Sequence, residues 1–195
     1  MPKFDRITRF DFSLFVAEEP YDLADVDADS FVNEWMSVSS GEVLRGGPLI
    51  DVEGEPWYDE EVCDPFELTV AWFHAADAMI AGAKVFGERQ PDGFRNFTGP
   101  WADSNLIWKR LGDGLELEDI HDVGEVALRR VRVPFVDFHV LLAGHAGRLA
   151  TFVRDVRSGA IGLQIAAPEP IERLLAALPD DRDLAAIDRV AAYRP

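Results

Sequence analysis

Positive charge is the scarcest resource in this chain. Of 195 residues only 3 are Lys and 16 are Arg, against 36 Asp and Glu, so the formal net charge is −17. An excess of that size repels phosphate backbones and anionic lipid, and it disfavours nucleic acid and membranes as direct partners. Cysteine is nearly missing too. The single Cys63 cannot form an internal disulfide, and a lone thiol fits a reducing compartment. No apolar run approaches the roughly 18 residues of a membrane-spanning helix. The start, Met1-Pro2-Lys3-Phe4-Asp5, lacks the basic and then apolar pattern of a secretory signal. A cytoplasmic protein is the expectation. Also missing are Gly-x-Ser-x-Gly, the phosphate-binding loop, the dinucleotide motif Gly-x-Gly-x-x-Gly, internal repeats and low-complexity tracts.

What is present is ample material for a core. Hydrophobic residues make up 48% of the chain, with 13 Phe and 5 Trp, which argues against global disorder. Few Lys beside plentiful Ala, Val, Asp and Gly fits a GC-rich bacterial or archaeal genome. The acidity is also uneven. Residues 1–67 hold 18 acids and 4 bases, a balance of −14, whereas residues 68–195 are at −3. A bias confined to one third of the chain points to a surface with a task rather than to a general solubility habit.

Periodicity sets the elements. Phe10, Phe12, Leu14 and Val16 alternate within a first strand over residues 6–16. Residues 18–29 read as an acidic loop broken by Pro20. A short helix over residues 30–36 starts near Asp29 or Ser30 and carries Phe31 and Trp35. Residues 49–55 read as a short strand or hairpin arm, and residues 57–63 as an acidic, aromatic loop. Asp64-Pro65-Phe66-Glu67 combines an N-cap, a first-turn proline and a capping-box acid, which predicts a helix over about 65–82. Leu68, Trp72, Ala75, Ala76 and Met79 share one face of it, and Glu67, His74 and Asp77 the other. Residues 87–105, with Phe94, Phe97 and Trp101, read as a loop.

Two runs around Gly112-Asp113-Gly114 predict a β-hairpin over 106–120, and residues 126–133 predict another strand. Pro134 then opens a second long helix, about 135–157. Phe135, Phe138, Leu142, His145, Leu149, Phe152 and Val156 form its stripe, widened by Leu141 and Val153. Ser158-Gly159 should end it, with Ile161, Leu163 and Ile165 as an edge strand. Two short helices, over 168–178 and 183–193, complete a single α+β domain spanning 1–195: an antiparallel sheet packed against two long amphipathic helices.

The chemistry worth weighing lies first in residues 18–63. From residue 18 to 67 there are 16 acids and one base, Arg45, interleaved with Tyr21, Phe31, Trp35, Trp57, Tyr58 and Phe66. Carboxylates steer a basic partner, and aromatics anchor it. The candidate face is Asp25, Asp27, Asp29, Trp35, Trp57, Tyr58, Asp59, Glu60 and Glu61. The plainer alternative is a solvated rim whose aromatics belong to the core. Asp25-Val26-Asp27-Ala28-Asp29 resembles the start of a calcium loop. Ser30 replaces the required Gly and Met36 the final Glu, so it is not one.

A second constellation, Glu67, His74 and Asp77, shares a helix face and could serve a small metal-dependent enzyme or ligand-binding domain. It carries no recognised ligand motif, and no cofactor is expected. His145 falls in an apolar stripe, where a hydrogen-bonded core histidine is the ordinary reading. His139 lies off the stripe centre, and the six-residue separation is not that of a helical metal pair. Cys63 stands among Asp59, Glu60, Glu61 and Asp64, which suppress its thiolate. Arg130 and Arg132 share one face of their strand, either solvated, paired with the acidic segment, or forming an anion site.

The block from Leu106-Ile107-Trp108 through Gly112-Asp113-Gly114 to Val131-Arg132-Val133-Pro134 resembles uncharacterised small acidic proteins of actinobacteria. Some proteins of this size and charge resemble immunity proteins that neutralise secreted toxins. The resemblance covers about 50 residues of arrangement and transfers no functional residue. It implies a protein that binds a basic partner, such as a toxin or nuclease, and performs no chemistry.

Overall fold

The structure is a computed structural model that describes residues 3–16, 19–22, 27–37, 45–59, 65–89, 95–96, 106–123, 125–163 and 168–195. Among the described residues, two four-stranded antiparallel sheets and five helices carry the fold, so it is α+β. The first sheet has the order β2-β1-β3-β4, built from β1 (Ile7–Val16), β2 (Glu19–Asp22), β3 (Arg45–Val52) and β4 (Glu55–Asp59). Two of these strands are corrections to the sequence reading. Residues 19–22 were expected in a loop because of Pro20, yet β2 lies at the sheet edge, where a missing N–H costs little. Residues 57–59 likewise belong to β4 rather than to a loop. Glu53 and Gly54 both have positive φ, 55° and 89°, which suits the two-residue turn joining β3 to β4.

The second sheet has the order β10-β9-β8-β5, from β5 (Val85–Phe86), β8 (Leu106–Leu111), β9 (Gly114–Val123) and β10 (Glu125–Pro134). The expected hairpin is there, with Leu111 opposite Gly114 and Gly112 at φ 64°. A pair of two-residue strands, β6 (Glu88–Arg89) and β7 (Arg95–Asn96), stands apart from both sheets. The expectations for Phe94, Phe97 and Trp101 fall outside the described residues. The chain's start ties the sheets together. Asp5 N–H donates to the Arg132 carbonyl at 2.7 Å, its carboxylate accepts from Arg132 N–H at 2.8 Å, and β1 follows directly.

The helices are α1 (Ala28–Ser37), α2 (Pro65–Ile80), α3 (Phe135–Leu163), α4 (Pro168–Ala177) and α5 (Asp181–Ala191). Pro65 opens α2 as expected, the expected N-cap Asp64 lies outside the described residues, and Gly82, at φ 99°, follows the helix end. α3 runs past the expected stop at Ser158-Gly159, so Ile161 and Leu163 are helical, not strand; Ile165 lies outside the described residues. The reason is tertiary. Gly159 has no positive φ, and a Cβ on it would sit in ordinary contact 3.6 Å from Asp29 Oδ1 and 4.0 Å from Val32 Cγ2, so α1 packs over this turn and the helix continues beneath it. α5 starts at Asp181, two residues before the expected start. Asp180 accepts from Asp183 N–H at 2.8 Å while the Asp183 carboxylate accepts from Asp180 N–H at 3.1 Å, a complete capping box.

Aromatic rings join these layers. Trp72 of α2 lies edge-on to Trp108 of β8 at 5.3 Å, to Phe10 of β1 at 6.0 Å and to Trp57 of β4 at 6.5 Å, and it tilts against Phe138 of α3 at 6.3 Å. Edge-on pairs set the positive ring edge against the negative face, adding to the gain from burial. Trp72→Ala is expected to cost about 3–5 kcal/mol, and denaturant unfolding followed by circular dichroism measures it. A loss below about 1 kcal/mol would show that the sheets hold without this junction.

Candidate functional site

The structure divides the proposed acidic, aromatic face. Trp35 is 6% exposed and Trp57 is 7% exposed. Trp35 Nε1 donates to the Pro170 carbonyl at 2.9 Å, fixing α1 to the start of α4. Trp57 packs into the Trp72 junction. Neither can anchor a partner, which corrects the expectation; their position among acids reflects chain order, not a shared surface. Asp27 is the N-cap of α1. Its carboxylate accepts from Ser30 N–H and Ser30 Oγ–H, each at 2.9 Å, and these bonds hold its pKa below the ordinary value, the backbone bond foremost. The cap thus precedes the expected Asp29 or Ser30. Asp29 is exposed in the first turn of α1. Tyr58 and Asp59 end β4, of which only the backbone is described, and Asp25, Glu60 and Glu61 lie outside the described residues.

His74 and Asp77 do share a face of α2, but α5 occupies both. His74 Nε2 lies 2.9 Å from Asp183 Oδ1. The other oxygen of Asp183 serves the capping box, so one carboxylate starts α5 and docks it. Asp77 accepts a two-pronged bond from Arg189, with Nε at 2.9 Å and the terminal nitrogen at 2.7 Å. Asp77 also holds the Arg189 pKa above its ordinary value. Glu67 is described in its backbone alone. No cluster of three metal-ligating side chains occurs among the described residues. The pair therefore joins helices, a role invisible in the sequence because the partners lie 109 and 112 residues away.

Arg130 and Arg132 also find partners other than the acidic segment. On one face of the second sheet, Glu118 is 1% exposed, between Lys109 Nζ at 2.6 Å and Arg130 at 2.8 Å. Beside it Glu116 meets Arg132 Nε at 2.7 Å and Arg130 Nε at 3.6 Å. Arg132 stands directly opposite Glu116 and Arg130 opposite Glu118, so strand register builds this charge ladder. Taking carboxylates out of water is costly, and the flanking cations offset that cost.

His139, expected off the centre of the α3 stripe, has a strongly shifted pKa. His139 is fully buried, deeper than His145. Its Nδ1 lies 2.7 Å from the Phe135 carbonyl, an acceptor only, so that nitrogen carries a proton. Phe135 stacks near it at 4.0 Å, and Tyr193 and Trp108 close around it at 5.7 and 6.4 Å. Burial pushes its pKa down to about 4, and the nearby Arg110 charge adds to this; the Phe135 carbonyl and, weakly, that of Ala76 work the other way. Its Nε2 makes no hydrogen bond of ordinary geometry among the described residues. His145 lies 2.7 Å from the Arg148 guanidinium and packs on Phe10 at 5.0 Å, the core role its stripe position predicts. No protein-family model, curated protein or solved structure matches the chain.

Two outcomes follow for these histidines. His139 titrates near 6.5 when unfolded and near 4 when folded, so the folded state binds fewer protons between those values. Its stabilisation is complete above pH 6.5 and is lost as pH falls towards 4. The loss is at most about 3 kcal/mol, and His139→Gln should flatten that part of a stability–pH profile. His74→Ala should lower stability by about 1–2 kcal/mol without changing metal content. Stoichiometric zinc or manganese in the purified protein, lost in this variant, would restore the metal reading.

Proposed function

We propose that this chain is a non-catalytic binding protein that neutralises a basic protein partner, in the manner of an immunity protein, through the acidity of its first third. The observation that carries this reading is an imbalance of charge. Residues 1–67 stand at −14, while among the described residues Lys109, Arg130, Arg132, Arg154, Arg157 and Arg189 form ion pairs with acids of the later chain or of α2. Arg154 meets Asp188, Arg157 meets Asp181 and Arg189 meets Asp77. None of these pairs draws on an acid between residues 18 and 67. Negative potential left in one region steers a cationic surface towards it and raises the rate of encounter.

The contact is one of charge rather than of aromatic anchors. Trp35 and Trp57 hold α1 and β4 to the core, and so give the acidic region a rigid frame. Exposed carboxylates such as Asp29, Glu53 and Glu55 then meet Lys and Arg of the partner. Against a nuclease they would stand where substrate phosphates stand, and inhibition would follow by occlusion. The cytoplasm, where a producing cell must guard itself, suits such a role.

The test is capture of a partner on the immobilised full chain, followed by affinity at low and high salt. Affinity should fall by roughly ten- to a hundredfold as screening shortens the reach of the charges. Neutralising Asp25, Asp29, Glu53, Glu60 and Glu61 to amides should have the same effect at low salt. Asp27 is spared because it caps α1. An affinity indifferent to both salt and neutralisation would overturn the electrostatic reading.

A further inference from the structure

The first half of α3 has a face that the fold leaves open. Val136, Val140 and Leu141 are 43%, 49% and 36% exposed, although Leu141 was expected in the buried stripe. They share the solvent side with Asp137, Gly144, Arg148 and Thr151, all exposed. At 100° per residue these positions fall within an arc of roughly 140° over about four turns. Farther along, α1 closes over Gly159, and Arg154 and Arg157 tie the helix to α5. Those attachments begin after Thr151. These three aliphatic side chains lie together on one face rather than singly.

Gly144 and Gly147 sharpen the point. A Cβ at either would meet nothing within 4 Å, and neither has positive φ. Neither internal packing nor backbone conformation asks for glycine there, yet each costs about 1 kcal/mol relative to Ala inside a helix. What glycine does provide on an exposed helix is room for another backbone to come close.

Charge selects the occupant. Asp137 and Arg148 are of opposite sign and equidistant from a point between Leu142 and Ala143; Arg148 sets one terminal nitrogen against His145 and is otherwise exposed. When two copies of α3 cross antiparallel about that point, Asp137 faces Arg148 of the second copy, and by symmetry the pair forms twice. The same register sets Leu141 over Gly144 and Val136 beside Thr151. A two-fold contact must be self-complementary, and in this register the face is so in charge and in shape. We propose that the Val136–Thr151 face of α3 is a homodimer contact. Two helices crossing over four turns bury on the order of 1,000 Å², the lower bound for a specific interface, so the dimer is weak and depends on protein concentration.

Sedimentation of the full chain across micromolar to millimolar concentration tests this. The mass should rise from 21.7 kDa towards twice that value. Gly144→Leu fills open space, so the fold should survive by circular dichroism while dimer affinity drops by about tenfold or more. Asp137→Arg and Arg148→Asp should each weaken the dimer, and the double exchange should recover affinity to within about threefold of the original, because it rebuilds both pairs. A monomer at every concentration, a dimer indifferent to Gly144→Leu, or single exchanges that the double does not rescue would each overturn the proposal.

Discussion

Trp72 is the side chain on which the remaining layers depend. It belongs to α2, yet its ring meets β1 and β4 of the first sheet through Phe10 and Trp57, β8 of the second through Trp108, and α3 through Phe138. Among the described residues the two sheets share no strand. This junction joins them, with Phe138 between Phe10 and Trp108 and the short stretch that leads from Asp5, bonded to β10, into β1. Packing of this kind is unforgiving of volume change, because a ring removed from the centre leaves several surfaces without partners. The acidic elements α1 and β4 reach the same core through tryptophans, so the most charged part of the chain is held by its least polar residues.

Electrostatics then follows from what the core has already used. Glu116 and Glu118 are carboxylates removed from water, and Lys109, Arg130 and Arg132 stay beside them. Asp77 and Asp183 hold α5 through Arg189 and His74. Among the described residues, Lys109, Arg130, Arg132, Arg154, Arg157 and Arg189 all pair with acids outside residues 18–67. These pairs tie the framework together and leave the charge of the first third as its composition sets it.

How far this could be read in advance depended on whether the signal was local. The hairpin was legible because Gly112-Asp113 encodes a tight turn between two apolar runs. The start of α2 was legible because Pro65 is compatible only with a first turn. β2 and the extension of α3 were not, because Pro20 and Gly159 look like interruptions until one sees a sheet edge and an approaching helix. The candidate site misled for a related reason. Trp35 and Trp57 stand among acids in the chain, but sequence neighbours in a helix or strand point to different sides. His74 and Asp77 were correctly placed on one face; that the face belongs to α5 could not be seen across more than a hundred residues.

α3 shows how one helix can answer to different neighbours along its length. Its buried stripe is continuous from Phe135 to Ala160, as the core requires. Its outer face changes character at about Thr151. Beyond that point Arg154 and Arg157 bind it to α5 and α1 packs beside Gly159, although Ile161 near its end stays exposed. Before it, the same angular sector offers aliphatic side chains, glycines without internal purpose and a balanced pair of opposite charges. A solvent-facing helix gains nothing in the monomer from that composition, since Ala, Glu and Lys would serve its stability better. A sector with such a sequence is explained by what it meets outside the chain. Because Asp137 and Arg148 balance each other, the sector carries no net charge to favour a strongly charged surface, which is why the proposed contact is with a second copy of itself.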